Sequence, residues 1–340
     1  MPRCLLLLLL ASAAQAQGPR LFLEAKDARR VVGTLAYSPS APRLAVKEWI
    51  VFAASLPELP GQHRVSSKLA PGGKPAQEKG GRAVLVARVP GKGKGKLDLS
   101  ATYEATLRSR RLKPLPAGRK PPAVSAPEGD ERKKALASTA SIDHASPAFK
   151  AWLADKGFRR EEGESDLDLG RRVFLGLKRL ASYRYDAAAD RKASAVCRTC
   201  RSDCGGLANV LVAALRANGV PARTLWGRWA ASAKPGEKLG GVPWLQWHVK
   251  AEFFAEGVGW VPADVSQAVL HDRTPAGLRY FGQDEGDFIV FHVDADLELD
   301  TYRFGLKTLP NLQSPAYWAA GTGSFDGATA TEGWTVRTAK

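Results

Sequence analysis

Three cysteines fall within eight residues in the stretch CRTCRSDCGG, Cys197 to Gly206. Thiols at that density can hold a metal, pair as disulfides or supply a nucleophile, and their neighbours separate the cases. After Cys204 come Gly205, Gly206 and then LANVLVAALRANG, in which Leu207, Val210, Leu211, Ala214 and Leu215 recur at i, i+3, i+4, i+7 and i+8. That is one apolar stripe of a helix. Gly219 is its stop, and Ser202 or Asp203 can cap its start. Cys204 then sits in the first turn, where unpaired N–H groups and the helix dipole favour an anion and lower a thiol pKa. Two glycines there cost about 1 kcal/mol each against alanine, which close approach of a substrate would explain.

A second segment supplies what such a thiol needs. WHVKAEFFAEGVGWVPADVS reads as a hairpin turning at Gly257 and Gly259. His248, Lys250, Glu252 and Phe254 share one face of the first strand, and Val258, Trp260, Pro262 and Asp264 share a face of the second. A three-residue loop Ala255-Glu256-Gly257, with Gly257 left-handed, sets Phe254 opposite Val258 and His248 opposite Asp264. Opposed residues have Cβ atoms about 5 Å apart, within reach of a carboxylate–imidazole hydrogen bond. A slip of one residue would put them on opposite faces. Thiol, imidazole and carboxylate are the nucleophile, proton carrier and orienting group of acyl transfer. His63, His144, His271 and His292 have no such partners in the sequence. Five tryptophans, Trp226, Trp229, Trp244, Trp247 and Trp260, read first as core. Some of them can wall a cleft under a loop, WAASAKPGEKLGGVPW.

Two rival readings use the same residues. Cys197, Cys200 and Cys204 could bind zinc with a histidine as fourth ligand, or the fold could serve as a non-catalytic binding module. The catalytic reading expects no metal and no cofactor. It expects Cys197 and Cys200 to pair as a disulfide bracing the loop before the helix, leaving Cys204 as the odd thiol.

The elements around the site divide the chain. MPRCLLLLLLASAAQAQ has a basic start, a leucine run and an A-x-A site, the pattern of a signal peptide over residues 1–16. The run is too short to span a bilayer, which takes about 20 residues. Residues 20–112 alternate in short strands. In KLDLSATYEAT, for example, Leu97, Leu99, Ala101, Tyr103 and Ala105 share a face, which points to an antiparallel β-sandwich. Residues 113–145 contain five prolines up to Pro127 and read as a linker. The catalytic core spans 146–305. It opens with two helices, one capped by Ser146 with Pro147 at its start and one by Ser165. Leu169, Val173, Leu177 and Leu180 mark the second helix's buried face. Residues 306–340 form a C-terminal extension. The net charge of +16 is spread along the chain with no nucleic-acid motif, so no specific nucleic-acid partner is expected. Anionic cell-envelope material is a partner the charge allows.

SDCGGLANVLVAALRANGVPAR followed by WHVKAEFFAEGVGWVPADVS resembles the transglutaminase-like superfamily. That family carries a cysteine at a helix start, a GxPAR exit strand, and histidine and aspartate on strands flanking a GW. The order here is Cys204, His248, Asp264. YFG at Tyr280 to Gly282, with FIVF after it, resembles the family's downstream segment. The resemblance covers residues 146–305 and implies an α+β fold with a papain-like core behind the β-sandwich. It also implies acyl-thioester chemistry on a protein or peptide amide, as transglutaminase, protease or amidase. Cys197 and Cys200 depart from the family pattern. The protein is expected to be secreted or periplasmic.

Overall fold

The computed structural model describes residues 20–339. The expected signal peptide and Cys4 lie outside the described residues. Alternation produces six strands first: β1 (Leu21–Ser40), β2 (Leu44–Ala54), β3 (Gln62–Ala70), β4 (Lys74–Gln77), β5 (Ala83–Pro90) and β6 (Leu99–Pro114). Helices then alternate with short strands: α1 (Gly129–Leu136), α2 (Pro147–Asp155), α3 (Asp166–Leu180), β7 (Ser182–Tyr183), α4 (Ala193–Thr199), β8 (Arg201–Ser202) and α5 (Cys204–Ala217). The central strands are β9 (Ala222–Trp229), β10 (Lys238–Leu239), β11 (Val242–Pro243), β12 (Trp247–Ala255) and β13 (Gly259–Ala263), followed by α6 (Val265–His271). The chain closes with β14 (Gln283–Asp284), β15 (Phe288–Val293), β16 (Leu297–Asp300), β17 (Leu306–Leu309), β18 (Ala316–Gly323) and β19 (Thr329–Thr338).

The fold is α+β. Two antiparallel sheets make the N-terminal sandwich, one ordered β14-β6-β1-β19 with β3 also on β6, the other ordered β18-β2-β5-β4. Leu99, Ala101, Tyr103 and Ala105 are all buried between them with Leu35, Trp49 and Trp334. The core sheet is antiparallel, ordered β13-β12-β9-β15. Trp226, Val249, Ala251 and Phe253 of that sheet pack on the apolar faces of α3 and α5.

The helix signals act as read. Ser146 Oγ accepts the Phe149 N–H at 3.3 Å, and Ser165 Oγ accepts that of Asp168 at 3.1 Å. Leu169, Val173 and Leu177 are buried, whereas Leu180, in the last turn of α3, is 44% exposed. In α5 every residue from Gly205 to Arg216 is buried. Its single apolar stripe understates the burial because α3, α4, α6 and the sheet enclose the helix together.

Several parts of the chain join regions far apart in sequence. Within 113–145, expected as a proline-rich linker, α1 forms, and Ala135 packs with Phe254 and Trp260. Residues 306–340, expected as an extension, supply β18 beside β2 and β19 beside β1. Ile289 and Phe291 of β15 belong to the sandwich core, so the core sheet and the sandwich share apolar packing.

Candidate active site

Cys204 opens α5 at the wall of a cleft of about 290 Å³. Asp203 is the cap: its Oδ1 accepts the N–H groups of Gly205 at 3.1 Å and Gly206 at 3.3 Å. Arg191 holds that carboxylate through Nε at 2.9 Å. The glycines answer close packing. A Cβ on Gly206 would stand 2.1 Å from Ser202 Oγ, and one on Gly205 would stand 3.0 Å from the Trp226 ring.

The thiol departs from expectation. Burial first, then the carboxylates of Asp203 and Asp264, push its pKa up rather than down, against the backbone N–H groups of Val249 and Gly205, which favour the thiolate. The helix start does offer N–H groups to an anion, but the Asp203 carboxylate has taken two of them.

His248 and Asp264 meet: His248 Nε2 lies 2.6 Å from Asp264 Oδ2, with both side chains buried. The route differs from the one read in sequence. The turn is Glu256-Gly257-Val258, so Ala255 opposes Gly259 and Phe254 opposes Trp260. This moves the register by two residues, which preserves the faces. β13 ends at Ala263, and Asp264 becomes the cap of α6, its Oδ1 accepting from Gln267 N at 3.0 Å and Ser266 Oγ at 2.9 Å. Although burial raises the Asp264 carboxyl, the charge and hydrogen bond of His248, with Lys250 and Gln267, bring it below the usual value.

Two aromatic rings brace the imidazole, and Gln313 holds its backbone. Trp229 stacks on it at 4.6 Å and 22°, and Phe288 meets it edge-on at 5.9 Å. Gln313 Nε2 donates to the His248 carbonyl at 2.8 Å and to that of Gly227. Beyond His248 on β12, Lys250 pairs with Asp284 at 3.0 Å, and buried Glu252 pairs with Arg110 of β6 at 2.6 Å and Arg223 at 2.7 Å.

The cleft walls include Tyr185, Trp226, Leu239, Trp247, Asn311 and Gln313. Trp226 and Trp247 thus face the cleft, while Trp229 supports the histidine and Trp260 carries Arg223 at 3.8 Å over its ring. The expected loop is present as the β10–β11 hairpin: Leu239 reaches the cleft and Gly240 lies against the Tyr185 ring. Asn311, Gln313 and Ser314 come from the region taken as an extension, and no local motif marks them. They are held by buried His292, whose Nε2 accepts the Leu312 N–H at 3.0 Å while Nδ1 pairs with the Asp294 carbonyl. His63, unpaired in the sequence reading, lies 2.8 Å from Asp27.

Cys197, Cys200 and Cys204 are free thiols, so the expected Cys197–Cys200 disulfide is absent. The local geometry turns the two thiols toward backbone carbonyls: Cys197 Sγ lies 3.4 Å from Ser194 O, and Cys200, left-handed at the end of α4, lies 3.4 Å from Cys197 O. Among the described residues no three His, Cys, Asp or Glu side chains converge as a metal site, the three cysteines included.

Residues 157–265 match the family model of the transglutaminase-like superfamily. No curated protein matches the chain. Among solved structures, a protein from Cytophaga hutchinsonii provisionally named a cysteine protease is similar over 94% of this chain and 93% of its own, at 12% identity and a TM-score of 0.56. The periplasmic domain of TgpA from Pseudomonas aeruginosa, 12% identical, covers 70% of this chain and 90% of its own at a TM-score of 0.36. The first of these shares the fold over nearly the whole chain, and the family match takes in Cys204, His248 and Asp264. Residues 157–265, set in this α+β fold, are thus similar to the transglutaminase-like superfamily.

Proposed function

We propose that the protein is an exported thiol enzyme that forms an acyl-thioester on Cys204 from a protein or peptide amide and passes the acyl group to water or an amine. The buried His248–Asp264 pair, 2.6 Å apart in the same core as the cleft cysteine, carries this reading. With Nε2–H donated to Asp264, the lone pair of His248 Nδ1 remains to take a proton. Cys204 Sγ attacks the amide carbonyl as its proton passes to His248. The carbonyl carbon gains the C–S bond and its oxygen becomes an oxyanion. The Cys204 backbone N–H, which has no acceptor among the described residues, is the donor offered to that oxygen in this mechanism. Collapse breaks the C–N bond, and the imidazolium protonates the leaving amine. Water or a second amine then attacks the thioester, gives its proton to His248 and releases the thiol.

An apolar-walled cleft with Asn311, Gln313 and Ser314 on one side suits an extended peptide side chain and its backbone. Export rests on the N-terminal sequence pattern. Among the described residues no helix is long and apolar enough to cross a membrane.

The raised thiol pKa favours a second reading, a non-catalytic binding module on the same fold. Purified protein incubated with peptide amides, with and without an amine acceptor, decides between them. The enzyme reading expects product and a trapped acyl group on Cys204, both lost in Cys204→Ala. Activity retained by that variant, or no acyl adduct on any amide tried, would sink it.

A further inference from the structure

A cavity of about 510 Å³ lies at the opposite end of α5 from Cys204, some 20 Å along a 14-residue helix at 1.5 Å per residue. Its walls carry His144, Lys150, Arg159, Arg160 and Arg216, with Leu153 as an apolar patch and no aspartate or glutamate.

The five basic groups are not equivalent. Arg216 spends its guanidinium on the carbonyls of Ala222 and Ala137 and on Asp294. Arg160 spends its own on Asp166 and the Glu164 carbonyl. Among the described residues, Lys150 and Arg159 have no carboxylate partner. The His144 imidazole also lines the cavity and lies against the Ile142 backbone. Burial first, then the charge of Arg216, lowers the His144 pKa. Three of the carbonyls ending α5, which would repel an anion, are already taken. Asn218 Nδ2 bonds that of Ala214, Val220 N that of Leu215, and Gly219 N that of Arg216.

We propose that this cavity is a binding site for a phosphate-bearing anion, held by Lys150 and Arg159, with the His144 imidazole in the same wall. Uncompensated positive charge converging on one hollow favours a compact, multiply charged anion. An arginine fork beside a lysine point charge suits the several oxygens of a phosphate. The hollow exceeds a bare phosphate in size, and Leu153 offers contact to an organic substituent. The site is separate from the cleft and stands whether or not Cys204 is catalytic.

Titration calorimetry of the whole protein with inorganic pyrophosphate at low salt tests this, run beside citrate and beside a Lys150→Ala/Arg159→Ala double variant. Both positions are on the surface, and an unchanged melting temperature without ligand will show that the variant is folded. The expected result is saturable pyrophosphate binding, weakened at least about tenfold in the double variant and stronger than citrate binding. An imidazole resonance that disappears in His144→Gln should titrate at higher pH once pyrophosphate is bound. Absent binding, or binding the double variant leaves unchanged, would overturn the site. Citrate binding as tight as pyrophosphate would overturn the phosphate assignment, and an unmoved His144 titration would remove His144 from it.

Discussion

Lys250 Nζ stands 4.6 Å over the Trp229 ring, and the same ring stacks on His248 at 4.6 Å. The ammonium also faces Asp284 at 3.0 Å and Asp287 at 3.5 Å. Asp284 belongs to β14, which pairs with β6 of the sandwich. The imidazole is thus tied, through an aromatic shelf and an ion pair, to a sheet from the other half of the chain.

Lys250→Met keeps the stem and removes the charge. It leaves Asp284 buried without its cation, so stability should fall by about 3 kcal/mol in urea unfolding. Asp264 also loses a stabilising charge, and the acid limb of amide turnover should move to higher pH. A variant with wild-type stability and pH profile would show that the shelf is dispensable.

Asp264→Asn retains an oxygen to cap α6 but can no longer accept a proton donated by His248. Turnover should drop about 10⁴-fold through the wrong imidazole tautomer, while the melting temperature changes little. Near-normal turnover would remove Asp264 from the proposed mechanism.

His292 has its pKa lowered from 6.5 to about 3, by burial first and then the charge of Arg82. A depressed group of this kind contributes stability that is present above pH 6.5 and is lost as pH falls toward 3, because the unfolded chain takes up the proton first. In acid titration followed by circular dichroism, His292→Gln should be less stable at neutral pH yet lose less stability across that window. A wild-type slope in the variant would refute the assignment. Since His292 holds Leu312, the variant should also weaken peptide binding in the cleft.

Gly206→Ala should destabilise by about 1–3 kcal/mol even though alanine is the better helix former, because its Cβ would meet Ser202 Oγ. Adding Ser202→Gly should recover part of the loss. Chemical denaturation of the two single variants and the double variant reads the coupling, and strict additivity would mean that the glycine serves something other than this contact.

The helix beginning at Cys204 was legible because its apolar spacing, its stop at Gly219 and its capping acid are local signals. So was the common face of His248 and Asp264. Side-chain direction on a strand depends only on parity, which the two-residue displacement of the turn leaves intact up to Ala263, and Asp264 then reaches His248 as the cap of α6. The direction of the thiol's pKa shift was not legible. A helix start and an adjacent aspartate are both visible in sequence, but whether the carboxylate folds back onto the N–H groups depends on Arg191 and the packing around it.

The sequence by itself determined the local elements, the face on which each candidate group sits and the order Cys204, His248, Asp264, because these follow from periodicity and turn chemistry over a few residues. Tertiary structure alone decided the 2.6 Å contact of His248 with Asp264 from a helix cap, the Arg110–Glu252–Arg223 cluster, and the return of residues 310–314 to the cleft. Each of these joins positions far apart in the chain, and such contacts are fixed by which apolar surfaces bury one another, a property that no short window of sequence contains.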